Sequence, residues 1–566
     1  MSPPRARLIP VLAALALLAA ACSVDRREAD EPSTTIFDPE LVTSAPEVTP
    51  FEELDVITVA TSGAIASFNT STATGDVDWA RMIMQTVWPV GTRILPDFTV
   101  EPVFFTRLPQ IVSQDPFVVE YQLRPDALWS DGVPVSVDDL RFYVENCNSR
   151  GVFDEEGLEV EAPDDCVNIS SYDQIRDFAV INSQTVDITF AAPNDEYLTL
   201  FSDPMPPAHV GADWSQGFER FDERLVLAAG PFKIVGDQSG VEVQLVRNES
   251  WFGDRPLIEG LRFRVIEDEF AQIGALDRGE VDLIYLDAQV NLLRAVDELR
   301  GIKTNSSFGL EWEQLTFNHD TVGGRERQAI VRALDRDAIA RNVVRPFGPG
   351  GRTLGSRVFV NGQTFYADNT PGPYLDDSAK KARETLRAAG YVENETGMFV
   401  DEDERPLTFR IRTTGGNARR EQVEQLIRLQ LGEAGIQVVV DNLAGPVALG
   451  PIFVGDFDLA VFSWEGSPQA AGFARRIYTT GSPANAGSFS NSVVDDKLAI
   501  AVVAQDSVNQ ARLLNEADAI MWNLLPNVPL YQVPTLLAYD DGLTGIEDNA
   551  TRQGITWDIT SWARLP

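Results

Sequence analysis

One short pattern recurs along this chain and sets its class: a helix with a single apolar face, a glycine, then a run of β-formers. Phe270, Ile273 and Leu276 share a helical face, Gly279 is placed to end that helix, and the strand-like VDLIYL follows. Ser378–Ala389 ends at Gly390 in the same way. Glu421–Ala434 puts Val423, Leu426, Ile427, Leu431 and Ala434 on one side, stops at Gly435 and runs into IQVVV. Glycine serves at such ends because it enters the left-handed conformation without a Cβ clash. Helices alternating with strands predict an α/β protein. LDVITVAT, from Leu54, reads as the first strand, and Phe232–Val235, Val241–Arg247 and Leu261–Ile266 as three more joined by turns. A single core stops growing near ~250–300 residues, and roughly 510 follow Leu54, so at least two lobes are expected.

The N-terminus carries Arg5 and Arg7, an apolar run Leu8–Leu18, and then Ala19-Ala20-Ala21-Cys22. That run is shorter than the ~20 residues a spanning helix needs, so residues 1–21 read as a signal peptide. Small residues directly before a cysteine suit lipoprotein processing, which makes Cys22 the expected lipidation site. An ordinary secretory signal with an incidental Cys22 is the alternative. Residues 22–53 are rich in Pro, Thr, Ser and acids and are expected to be a flexible tether. The expected location is extracytoplasmic, anchored by lipid to the outer face of the cell membrane in a periplasmic-type space. In that oxidising setting Cys147 and Cys166 flank a polar loop, and a disulfide between them is expected, two buried thiols being the alternative.

The formal net charge is −39, and −41 once Arg5 and Arg7 leave with the signal. So acidic a chain repels nucleic acid and anionic headgroups, which excludes nucleic acid as a partner and leaves the anchor as the only membrane contact. His209 and His319 are the only histidines, so no multi-histidine metal site is expected. Neither a G-x-S-x-G elbow nor a G-x-x-x-x-G-K-(S/T) loop occurs. The expectation is a protein that is not an enzyme and carries no cofactor.

Three segments carry a family resemblance. In Tyr121–Glu145, YQLRPDALWSDGVPVSVDDLRFYVE, a strand leads through the Asp131-Gly132 turn to a helix capped by Ser136, with Asp139 three residues on. Arg124, Trp129, Ser130, Asp131, Gly132, Pro134, Val135 and Asp139 match a signature of the family 5 extracellular solute-binding proteins, the peptide-binding type that feeds ABC importers. Gly230–Asp268 is similar to a second block of that family through Gly230, Pro231, Phe232, Arg247, Asn248, Trp251, Phe252, Pro256, Phe263, Arg264 and Asp268. FNHD and ERQAIVRALDRDAIARNV resemble a third, through Phe317, Asn318, Arg327, Gln328, Ala329, Ile330, Ala333, Asp335, Arg336 and Ile339.

The resemblance implies a bilobed α/β fold of the periplasmic-binding-protein type II, with a discontinuous first lobe and a two-strand hinge. Residues 54–95, 211–305 and 532–566 would form lobe I, 96–210 its extra domain, and 306–531 lobe II. The hinge would lie near Phe308–Thr316 and Pro529–Pro534. It further implies a monomer that captures peptides or peptide-like solutes between the lobes and delivers them to an ABC permease and its ATPase. A non-transport lipoprotein acting in cell-envelope glycolipid assembly on the same scaffold is the alternative.

The expected ligand site is FDLAVFSWEGSPQ, a buried strand Phe457–Phe462 ending in a polar loop, because strand ends facing a cleft hold binding groups in α/β proteins. In peptide-binding relatives this loop carries a tryptophan and, three residues later, an aspartate for the peptide's α-ammonium. Trp464 matches the tryptophan, whereas Ser467 occupies the aspartate position. Serine cannot neutralise an ammonium, so either Glu465 takes that role or the ligand is not an ordinary free-amino peptide. Tyr531 and Gln532 at the hinge, Asn318 beside Phe317, and Ser67 and Asn69 in an early loop complete the expected site.

Overall fold

The computed structural model describes residues 51, 54–72, 74–148, 166–167, 169–210, 226–238, 240–375, 378–401, 403–444, 450–504 and 506–566. Cys22, the expected signal peptide, the tether and most of the loop after Cys147 lie outside the described residues. Residues 51–566 form one compact unit. Among the described residues no helix is long and apolar enough to cross a membrane.

A mixed sheet of eleven strands runs through that unit. From one edge the order is Gln437–Val440, Thr408–Arg412, Leu459–Glu465, Phe308–Phe317, Asn527–Asp540, Leu283–Asp287, Val56–Thr61, Gly260–Val265, Glu242–Arg247 and Phe232–Gln238. Ile302–Asn305 also pairs with Asn527–Asp540. Val56–Thr61 is parallel to both of its neighbours, and Asn527–Asp540 is antiparallel to all of its partners.

Asn527–Asp540 joins the two halves. Its first residues pair with Phe308–Phe317, at Trp312↔Gln532 and Glu313↔Tyr531, and its last with Leu283–Asp287, from Asp287↔Thr535 to Leu283↔Tyr539. Its side chains change core on the way. Val528, Leu530 and Tyr531 lie with Leu315, Ile330 and Ile427, whereas Leu536 and Ala538 lie with Ile284 and Leu292. A further core on the second side gathers Leu354, Phe359, Phe473 and Leu514. On the first side Ile57, Val59 and Phe263 share a core with Val119, Tyr121, Val186 and Ile188 of a four-stranded antiparallel sheet.

Local chemistry explains the connections. Gly132 has a φ of 87° in the turn before helix Val137–Cys147. Ser136 caps that helix, its Oγ accepting from the Asp138 amide at 3.2 Å while the Asp139 carboxylate accepts from the Ser136 amide at 2.9 Å. Trp129 is buried behind the turn and donates its indole N–H to Asp139 at 3.3 Å. Cys147 is disulfide-bonded to Cys166, their Cα atoms 5.3 Å apart.

Two helices differ from the sequence reading. Glu269–Asp277 buries Gln272, Ile273, Ala275 and Leu276 and leaves Phe270 54% exposed, because Phe270 falls in the first turn, before the helix reaches the sheet. The predicted Glu421–Ala434 helix starts three residues earlier, at Ala418, because Asn417 accepts from the Arg420 amide at 3.0 Å and caps it there.

Candidate functional site

The predicted strand Phe457–Phe462 is displaced: it begins two residues later, at Leu459, and runs three further, to Glu465. Its ladder with Phe308–Phe317 continues through Trp312↔Trp464 to Glu311↔Glu465, so Trp464 and Glu465 belong to the strand and not to the loop after it. The crossing strand runs past Phe462 and offers backbone partners that no local pattern reveals. This extension carries both side chains into a trench between the two sides of the sheet.

Two chambers meet at Glu465 and Arg552, which line both. The first, of about 270 Å³, is walled by Trp464, Ser467, Tyr172, Thr199, Asp203, Glu196 and Arg476. The second, of about 260 Å³, is walled by Asp78, Arg81, Tyr285, Glu311, Arg419, Arg420 and Thr535. Cavities of about 290 and 410 Å³ extend the trench at its two ends. One shares Glu196 and Arg476 with the first chamber, the other Ala288 and Arg419 with the second. The two central chambers are lined mainly by polar and charged groups.

Its charges are arranged in opposed sets. Arg552 lies 3.6 Å from Glu465, 3.4 Å from Asp76 and 3.9 Å from Asp203. Arg81 reaches Asp76 and lies 2.9 Å from Asp78. On the facing wall the fully buried Glu313 is held between Arg419 and Arg420, the latter at 3.1 Å. Arg420 also donates to Ser463 Oγ at 2.6 Å, and Ser463 donates to Glu311. This network fixes the arginine forks before any ligand arrives.

Protein surrounds Glu465 although 37% of its side chain still faces the chambers, and loss of water pushes its carboxyl up to about 7 against the pull of Arg552 and Arg81. Burial likewise raises Glu311, opposed first by Arg419. Asp203, ahead of a smaller burial effect, holds the Arg552 guanidinium protonated well above its ordinary range, with Glu465 adding to it.

Trp464 forms the apolar floor. Its ring packs edge-on against Phe453, Phe462 and Phe473 at 5.8, 5.6 and 6.3 Å. Ser467 lines the same chamber, with its Oγ accepting from the Gln469 amide at 3.1 Å. These two and Glu465 are brought together.

The other expected residues stand elsewhere. Tyr531 is fully buried behind the chamber wall beside Glu313 and Arg419. Gln532 is buried and donates to the carbonyls of Gly309 at 2.8 Å and Asn361 at 3.2 Å. Asn318 donates to the carbonyls of Gly455 and Phe457 at 2.9 and 3.0 Å, and Phe317 is core. Ser67 and Asn69 are buried, Ser67 Oγ accepting from the Asn69 amide and Asn69 Oδ1 from the Ser71 amide, each at 3.1 Å. Gln532, Asn318, Ser67 and Asn69 thus bond nearby backbone, and Tyr531 packs against the side chains of Glu313 and Arg419, so none of the five lines either central chamber.

Arg552, Arg81, Arg419, Arg420 and Asp203 were not singled out by sequence reasoning. They come from segments far apart in the chain, and only the fold collects them. Among the described residues no group of three or more His, Cys, Asp and Glu side chains is placed to hold a metal ion.

Comparison with known proteins places these features in context. The sequence profile described as "Bacterial extracellular solute-binding proteins, family 5 Middle" matches residues 99–485. The oligopeptide-binding protein OppA of Mycobacterium tuberculosis is 25% identical over 482 residues, 82% of this chain and 78% of that protein. An uncharacterized lipoprotein of the same organism is 25% identical over 541 residues, 88% of this chain and 92% of its own length. Among solved structures, a periplasmic EDTA-binding protein, EppA, superposes with a TM-score of 0.79 at 26% identity, covering 90% of this chain and 96% of that one. The two-lobed α/β architecture of that family is the architecture seen here.

Proposed function

The chain belongs to the bacterial extracellular solute-binding proteins of family 5, and from that premise we propose that it is the extracytoplasmic, lipid-anchored binding component of an ABC importer. It captures peptides or peptide-like solutes in the trench and presents them to a permease driven by its ATPase. Residues 54–95, 211–305 and 532–566 act as lobe I, 96–210 as its extra domain and 306–531 as lobe II. The strands Phe308–Phe317 and Asn527–Asp540 serve as the hinge on which the lobes close over a ligand and exclude water.

The observation that carries this reading is the pair of chambers sharing Glu465 and Arg552. Glu465 receives the ligand's cationic end in place of the aspartate that Ser467 replaces, and Trp464 supplies the apolar face below it. Arg419 and Arg420, held by Glu313, take a carboxylate or backbone carbonyl in the second chamber. The names of two relatives support the two halves of this recognition, one an oligopeptide-binding protein and the other binding a polycarboxylate. The lipoprotein relative supports the anchor at Cys22.

Thermal unfolding in the presence of candidate ligands tests the reading, because a ligand selective for the folded state raises the midpoint. Free-amino peptides are expected to raise it and their N-acetylated forms to do so far less. A shift by envelope glycolipids with none from any peptide overturns it in favour of an envelope-assembly role.

A further inference from the structure

Two contacts tie the segment 96–210 to residues of 306–531, and each meets a glycine there. The first is polar. Asp195 begins the short turn Asp195–Leu198, whose Tyr197 packs on the first core. Its carboxylate reaches away from that core, and Oδ2 accepts from the Gly472 amide at 3.2 Å. Gly472 is in the first turn of helix Ala470–Tyr478, whose own N-cap residue, Gln469, makes no side-chain capping bond. The cap is therefore supplied from the opposite side of the trench. Beside it the Thr199 hydroxyl donates to Gln469 Oε1 at 3.1 Å. A Cβ on residue 472 would lie 2.5 Å from Asp195 Oδ1, so only glycine admits this approach.

The second contact is apolar. The strands Thr92–Ile94 and Val100–Pro102 pair as a hairpin with Phe98 near its tip, at a φ of 69°. Bulky residues are rare in that left-handed region, which marks a backbone held there by its surroundings. The Phe98 ring packs against the core that contains Leu354 and Phe359. It lies over Gly362, where a Cβ would stand 3.2 Å from Phe98 Cε2.

We propose that Phe98 and Asp195 form a two-point clasp by which the segment 96–210 holds the second lobe and keeps the trench shut. Few apolar side chains cross between the separate cores at these points, so the clasp can release without unfolding either core. The loop after Glu465 walls the first chamber and leads into the helix that Asp195 caps, so an occupant of that chamber and the clasp act on one element. The inference rests on the two-lobed reading and on no particular ligand.

Hydrogen exchange on the full chain without ligand tests it. Gly472→Ala keeps the helix, since alanine is the better helix former, but drives Asp195 away. It is expected to speed exchange at least tenfold at 470–473 and also at 94–99 and 360–366, with the far-ultraviolet circular dichroism of the wild type. Phe98→Ala is expected to do the reverse, loosening 470–473 as well as its own site. If each variant alters exchange only at its own contact, or at neither, the two contacts are independent and the clasp is wrong. That outcome would leave the peptide-binding proposal standing, because its test reads ligand-induced shifts instead.

Discussion

Arg552 Nε lies 3.6 Å from Glu465 Oε2 across the wall between the two central chambers. The pair is too long for a strong hydrogen bond and is held by charge, which on the proposed function leaves the carboxylate to receive a ligand's cation. Its carboxyl group titrates near 7 because burial outweighs the help of Arg552 and Arg81.

Replacing Glu465 by Gln is expected to weaken binding of free-amino peptides about tenfold, roughly 1.4 kcal/mol, a figure kept modest because water still reaches the side chain. N-acetylated peptides should bind both forms alike. Near pH 7 a bound ammonium should drive Glu465 to ionise, so titration calorimetry in buffers of different ionisation enthalpy should detect a proton released by the wild type and not by the variant.

His319 carries a second pH signature. Burial lowers its pKa to about 4, Arg327 adds to the effect, and the ring hydrogen-bonds the Leu525 carbonyl at 3.1 Å. Above pH ~6.5 the imidazole is neutral whether folded or not and contributes nothing. As pH falls from ~6.5 towards 4, the unfolded chain binds a proton that the folded one refuses, and up to about 3 kcal/mol of stability is lost. Urea unfolding at pH 7 and pH 4.5 should show this difference shrinking in His319→Gln.

Arg357 and Asp518 make a fully buried ion pair at 3.1 Å, with the guanidinium 4.1 Å from the centre of the Trp522 ring. Asp518→Ala strands that cation and should destabilise the protein by about 3–5 kcal/mol. Arg357→Met with Asp518→Leu should cost far less. Denaturant midpoints of the single and double variants compare the two.

The Cys147–Cys166 bond closes a loop with a sequence separation of 19. Restricting the unfolded chain over that length is worth about 3 kcal/mol. Replacing both cysteines by serine should lower the unfolding midpoint accordingly, and a reducing agent should act on the wild type alone.

The sequence reveals what is local. Gly279, Gly390 and Gly435 end helices at positive φ where the apolar periodicity stops, and Ser136 and Asp139 cap a helix as their spacing suggests. That Trp464 and Glu465 sit near the end of a buried strand was legible, though the ladder that carries the strand through both of them was not. Asn318 and Tyr531 both turn out to be buried away from the two central chambers. A polar side chain in or just after a strand looks the same in sequence whether it faces a ligand or the protein's own interior, as Asn318 after one strand and Tyr531 within another do. Arg81, Asp203 and Arg552 come from distant segments, and their meeting depends on contacts that only the fold makes.

The strand Asn527–Asp540 sits in the middle of the main sheet and serves cores on both sides. During synthesis the main sheet can therefore not be completed until more than five hundred residues have left the ribosome. Stalled nascent chains that stop short of residue 527 should remain sensitive to protease. A sheet completed so late would suit the export proposed above, since the chain could be threaded across a membrane before its longest-range pairing forms.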